Sequence, residues 1–91
     1  MKIIIAGAGE VGTHLAKLLA KESLDTTLLD DDPNRLVDLE MNYDLLTRVG
    51  SPTSIESLKE CGVEKADLFI AVTPNESVNM TACMLATNLG A

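Results

Sequence analysis

Basic residues are scarce in this chain. Lysine and arginine number 7 against 14 aspartates and glutamates, a formal net charge of −7. That balance argues against nucleic acid and against direct binding of anionic lipid, since both need a positive surface. Cysteine is nearly absent. Cys61 and Cys83 form neither a metal-binding pattern nor a framework for a disulfide-rich fold. No apolar run comes near the about 18 residues that a bilayer-spanning helix needs. The opening MKIIIAGAGE reaches Glu10 after one very short apolar stretch. That is no secretory leader, so a cytoplasmic chain is expected. Low-complexity segments and fixed-period repeats are missing too. His14 is the sole histidine. It stands two residues past a glycine, inside a helical pattern, and reads as a helix-surface residue. Serines and threonines are scattered without a basic partner, so no catalytic constellation is present. A binding module fits better than an enzyme.

What is there fits one small domain. The 91 residues are 46 % apolar and 23 % charged, ordinary globular usage. A chain of this size buries roughly 60 to 65 % of its unfolded surface. Short apolar runs alternate with helical patterns. Lys2–Ala6, Thr26–Leu29, Leu45–Val49 and Leu68–Val72 read as strands. The Ile3–Ile5 run is too continuously apolar for a half-exposed strand, which points to a parallel sheet covered on both faces. Val11, Leu15, Leu18 and Leu19 recur at helical spacing and predict a helix over Glu10–Glu22. Pro33, Pro52 and Pro74 each follow a strand run, and proline suits a first helical turn. Asp32, Ser51 and Thr73 precede them and are suitable N-caps. Helices are therefore expected over 33–43, 52–60 and 74–89, with Gly62 stopping the third. The fold class is α/β: a Rossmann-like, doubly wound parallel sheet of four βα units in the order 3-2-1-4. A complete dinucleotide fold has about six strands, so the lobe over 1–91 is expected to be truncated before a fifth.

Two apolar faces mark the last helix. Val78, Ala82, Leu85 and Leu89 form one stripe; Met80, Cys83 and Met84 form another. An amphipathic helix has one such face, so the second predicts a further partner, either missing strands or another subunit. Cys61 and Cys83 both lie on helical faces and are expected to be buried.

Gly7, Gly9 and Gly12 spell GxGxxG as GAGEVG, directly after a predicted strand and opening a predicted helix. Gly7 permits the tight turn. Gly9 lets backbone N–H groups approach a pyrophosphate. Gly12 lets the helix pack against the strand. Phosphates then sit at the positive end of a helix. The motif calls for an acid about 20 residues on. Asp30 lies 18 residues after Gly12 (30 − 12) and ends the TTLL run. A carboxylate there accepts from ribose hydroxyls and repels a 2′-phosphate, so NAD(H), ADP or ATP is expected and NADP is not. Asp31 and Asp32 extend the acid run; as a solvated loop and an N-cap they need no ligand, and as neighbours of Asp30 they join the candidate site. No GK[ST] closes the loop, which excludes a P-loop NTPase. Methyltransferases also pair a glycine loop with an acid, but the third glycine fits a dinucleotide better.

The stretches KIIIAGAGEVGTHLAKLL, TLLDDDPNRL and VGSPTSIESLKECGVEKADLFIAVTPNESVNM together resemble the TrkA N-terminal domain family, also called the KTN or RCK N-lobe. The last stretch is the most specific, and the resemblance covers essentially the whole chain. It implies that Gly7, Ala8, Gly9, Glu10 and Val11 surround phosphates and that Asp30 holds the ribose with Asp32 nearby. It places Gly50, Ser51 and Thr53 beside the adenine, and Thr73 and Asn79 near the phosphates or second ribose. Two positions depart from the family. Many members carry Arg at Glu10 and Asp at Ser51. A glutamate beside phosphates disfavours extra negative charge, so NAD or NADH is expected ahead of ATP. The resemblance further implies a non-enzymatic regulatory subunit of a potassium uptake system. Such subunits form homo-oligomers and act on a membrane-embedded potassium-translocating partner at the inner face of the membrane. The competing reading is the cofactor half of an NAD-dependent oxidoreductase, completed by a catalytic domain elsewhere.

Overall fold

A computed structural model describes residues 1–91. Four parallel strands, β1 (Lys2–Ala6), β2 (Asp25–Asp30), β3 (Leu46–Val49) and β4 (Leu68–Ala71), form one sheet in the order β3-β2-β1-β4. Side chains alternate across a strand, and this splits the apolar runs between two cores. Ile3, Ile5 and Leu28 pack with Ala16 and Ala20 of α1 (Glu10–Lys21) and with Leu36, Leu39 and Leu45. Ile4 and Leu29 pack on the other face with Leu58 of α3 (Ile55–Glu60), Cys61, Val63 and Ala86 of α4 (Glu76–Leu89). The continuously apolar β1 is thus buried on both sides, as its sequence implied.

The helix starts differ from the sequence expectation. Asp32 does cap, accepting from the Asn34 N–H at 3.0 Å, but Pro33–Arg35 makes only a 3₁₀ turn. Asp38 then adopts a left-handed φ of 68°, and the helix expected over 33–43 shrinks to α2 (Leu39–Asn42). Aspartate tolerates that conformation better than most residues. Ser51 and Thr73 are not N-caps. Their hydroxyls accept from the N–H groups of Thr53 and Asn75, two residues on. Such turns compete with helix and delay α3 and α4. Ser54 and Asn75 cap instead, accepting from Ser57 and Val78. Gly62, with φ 80°, ends the third helical segment as expected.

Small residues bring both long helices onto the sheet. The buried positions are Gly12, Ala16 and Ala20 in α1, and Ala82 and Ala86 in α4. Val11 is exposed, and so are Met80 (74 %), Met84 and Cys83. Burial of Cys83 is therefore corrected: its face of α4 points away from the sheet. Cys61 is buried, and that burial pushes its thiol pKa up. No helix is long and apolar enough to cross a membrane.

Candidate functional site

Open α/β sheets carry their sites outside the C-terminal ends of the strands, where the strand order reverses. Here β1 is the reversal point, between β2 and β4. The ladder continues one residue past β1, β3 and β4: Gly7 N–H donates to Leu29 O, Gly50 N–H to Asp30 O, and Val72 N–H to Ala6 O. These bonds draw the four strand-end loops around one cleft of about 250 Å³.

The three loop glycines have separate reasons to be glycine. Gly7 has φ +115°, and a Cβ would meet the Val72 and Thr73 backbone at 2.9 Å. A Cβ at Gly12 would stand 1.7 Å from the Gly7 carbonyl oxygen, so the helix meets the strand there. Gly9 is unlike either. Its φ of −74° and ψ of −165° suit any residue, and a Cβ would meet nothing within 4 Å. The protein does not need a glycine at position 9. It lines the cleft as the N-cap of α1 and offers no side-chain cap, leaving first-turn N–H groups without helical partners.

Asp30 joins the loop to β2. Only 5 % exposed, it accepts from the Ala8 N–H at 2.7 Å and from the Asp32 N–H at 2.8 Å. The Arg35 guanidinium lies 3.6 Å away. Burial by itself would push its pKa up, but these donors and the Arg35 charge outweigh burial and hold the carboxyl below its ordinary value. The group is a fixed anion with acceptor capacity to spare.

The cleft brings together Gly7, Gly9, Asp30, Asp31, Ser51, Thr53 and Thr73 from the residues singled out in the sequence. Ala8 and Glu10 line an adjoining groove that also starts at Gly9. Val11, Gly12, Asp32, Gly50 and Asn79 line neither. Gly50 is a packing position, since a Cβ would come 2.5 Å from Ser57 Oγ. Asn79 works at one remove. Its Oδ1 accepts from the Thr73 N–H (2.9 Å) and hydroxyl (2.6 Å), and its amide donates to the Thr73 carbonyl (2.9 Å). It clamps the turn whose Thr73, Pro74 and Asn75 form one wall of the cleft. Asn79→Ala is expected to cost about 1–3 kcal/mol by leaving these partners unpaired. Urea unfolding checks this, and a loss below about 0.5 kcal/mol would contradict the clamp.

Arg35 escaped the sequence reading, although it stands i+3 from Asp32, a spacing that places side chains together on a helical turn. It is the one cation lining the cleft. Chemically, the cleft offers helix-end N–H groups for an anion, a fixed carboxylate acceptor, and hydroxyls of Ser51, Thr53 and Thr73.

The family model of the TrkA-N domain matches residues 3–91. The chain belongs to the TrkA-N family. It is 45 % identical over 89 residues to the Trk system potassium uptake protein TrkA of Haemophilus influenzae, covering 98 % of this chain and 19 % of that protein. Its identity to the TrkA homologue of Archaeoglobus fulgidus is 40 % over 91 residues, 100 % of this chain and 20 % of that one. The TrkA-N chain thus spans about one fifth of these relatives. The Kef CTD of Shewanella denitrificans, solved in its AMP-bound form, superimposes with a TM-score of 0.81. That match covers 97 % of this chain and 52 % of the other at 20 % identity, and it shows the shared Rossmann-like fold.

Proposed function

We propose that residues 1–91 form an adenine-nucleotide-binding lobe of a potassium uptake regulator, with NAD or NADH as the leading ligand and ADP or ATP as the alternatives. The ligand's phosphates lie against Gly9 and the start of α1. Its ribose lies on Asp30, and its adenine beside Ser51 and Thr53. The observation that carries this reading is Gly9, a glycine that neither backbone conformation nor internal packing requires, at the mouth of the cleft. The names of the relatives support a part in potassium uptake rather than the cofactor half of a dehydrogenase. In this reading the lobe works in a homo-oligomer beside a membrane-embedded potassium-translocating subunit on the cytoplasmic side. Nucleotide shifts the assembly by binding one arrangement more tightly than another.

Thermal unfolding tests the site. Ligand at about 100 times its Kd adds about 2.7 kcal/mol of stability. NAD, NADH, ADP and ATP are each added to the wild type and to Gly9→Val. The wild type is expected to shift with at least one of them. Gly9→Val is expected to keep its ligand-free stability within about 1 kcal/mol and to lose the shift. A variant that responds like the wild type would overturn the role of Gly9, and silence of the wild type toward all four would overturn the reading.

A further inference from the structure

Phosphate is normally met by a paired cation as well as by helix-end N–H groups. The glycine loop supplies none, because Glu10 carries the wrong sign. The chain as a whole is at −7, and the cleft itself presents Asp30 and Asp31. An anionic ligand entering it meets repulsion unless a positive group stands close. Two cations border the region. Lys17 lies in the adjoining groove, with its ammonium 5.1 Å from the centre of the Tyr43 ring, a cation–π placement. Arg35 lines both the cleft and the groove, at the point where they meet beside Gly9.

Arg35 is held loosely. Its Nη1 is 3.6 Å from Asp30 Oδ2 and its Nε is 3.8 Å from Asp32 Oδ2. Charge-assisted N–H···O bonds are about 2.7–2.9 Å long, so both pairs are ionic contacts without a hydrogen bond. The side chain is 49 % exposed. The position of Asp30 does not depend on it, since the Ala8 and Asp32 N–H groups already hold both carboxylate oxygens. The guanidinium therefore keeps its planar fork of five donors free, next to a cleft that lacks any other positive charge.

Resting on the nucleotide-binding reading, we propose that Arg35 is the phosphate-pairing residue of this lobe. It turns its fork from Asp30 and Asp32 onto the phosphate nearest Gly9. It thereby sets selectivity for charged adenine nucleotides over the uncharged nucleoside.

Calorimetric titration of adenosine, AMP and ADP into wild type and Arg35→Gln tests this, with circular dichroism confirming that the variant is folded. A charge-assisted contact corresponds to about 10- to 100-fold in affinity. Arg35→Gln is expected to weaken AMP and ADP by that factor and to change adenosine by less than about twofold. Equal weakening of all three would overturn the proposal and make Arg35 a positioning residue for Asp30, because adenosine reaches Asp30 through its ribose alone. Unchanged AMP and ADP binding would overturn it outright. A wild type that binds none of the three overturns the proposal, and one silent toward NAD and NADH as well removes the nucleotide reading beneath it.

Discussion

Gly12→Ala is expected to remove a large part of the stability of this fold. The added methyl would stand 1.7 Å from the Gly7 carbonyl oxygen and 3.3 Å from Val72 Cγ2. The first obstacle is backbone, which cannot rotate aside as a side chain does. Gly7 has no room on the side where a Cβ would stand, because the Val72 and Thr73 backbone lies 2.9 Å from that point. Relief requires lifting α1 off β1, which opens the core around Ile5 and Ala16. Overpacking costs about 1–3 kcal/mol where side chains adapt, and more where they do not. We expect about 3 kcal/mol or more. Domains of this size have roughly 5–15 kcal/mol in all, and each kcal/mol moves Tm by about 4–8 °C. A calorimetric Tm lower by at least about 12 °C is the expected result. A fall of less than about 4 °C would mean that α1 and β1 are not locked together at this glycine. The contrast with Gly9→Val separates the two uses of glycine in one loop: stability at position 12, ligand access at position 9.

The second large effect is expected at Asp30. Asp30→Asn replaces a carboxylate that accepts two backbone N–H bonds with an amide that offers one oxygen. Either Ala8 or Asp32 then faces an NH₂ group. Loss of one charge-assisted bond at a buried site costs about 1.5–3 kcal/mol. The pH dependence carries a distinct signature. The folded carboxyl sits below its ordinary value, so its contribution is fully present above the unfolded value of about 3.9. It is lost as pH falls through the folded value. Wild-type stability should therefore drop below about pH 4 more steeply than that of Asp30→Asn, and the two should converge in acid. Urea midpoints at pH 7, 5, 4 and 3 check this. A constant gap across the series would remove Asp30 from the acid limb.

Much of this fold was legible because it rests on continuous signals. Three successive isoleucines on β1 can only be buried if both faces are covered, and the structure covers them with α1 and α2 on one side and α3 and α4 on the other. The glycine loop and Asp30 were legible because their spacing is set by the length of one strand and one helix. The parts that were not legible depend on choices between near-equal local states. Ser51 and Thr73 suit both an N-cap and a hydroxyl-closed turn, and the turn won, moving the starts of α3 and α4 to Ile55 and Glu76. Asp38 breaks the segment expected to be helical over 33–43 by a left-handed φ that its sequence neighbours do not announce. The apolar stripes of α1 and α4 overstated burial of the large residues, since alanine and glycine bring both helices closer to the sheet than leucine or methionine would allow. Arg35 was missed because its importance is tertiary: it matters only once β2 and the α1 loop meet.

In the candidate site, the positions that line the cleft and those that hold it in shape were indistinguishable in sequence. Thr73 and Asn79 both carried the motif, yet Thr73 faces the cleft while Asn79 spends its amide on the Thr73 backbone. Gly9 and Gly50 are both glycines after strands, but only at Gly9 would a Cβ find open space. These distinctions turn the nucleotide reading into one about particular backbone groups.

Amide NMR during titration with NADH, and in parallel with ADP, tests that reading most directly. The expected shifts fall on Gly9, Glu10 and Val11, on Asp30–Asp32, on Ser51 and Thr53, and on Thr73 and Asn75. They are absent from the far ends of the strands around Lys2, Asp25 and Leu68. Saturating nucleotide that leaves the amides of Gly9 and Val11 unmoved would contradict the account.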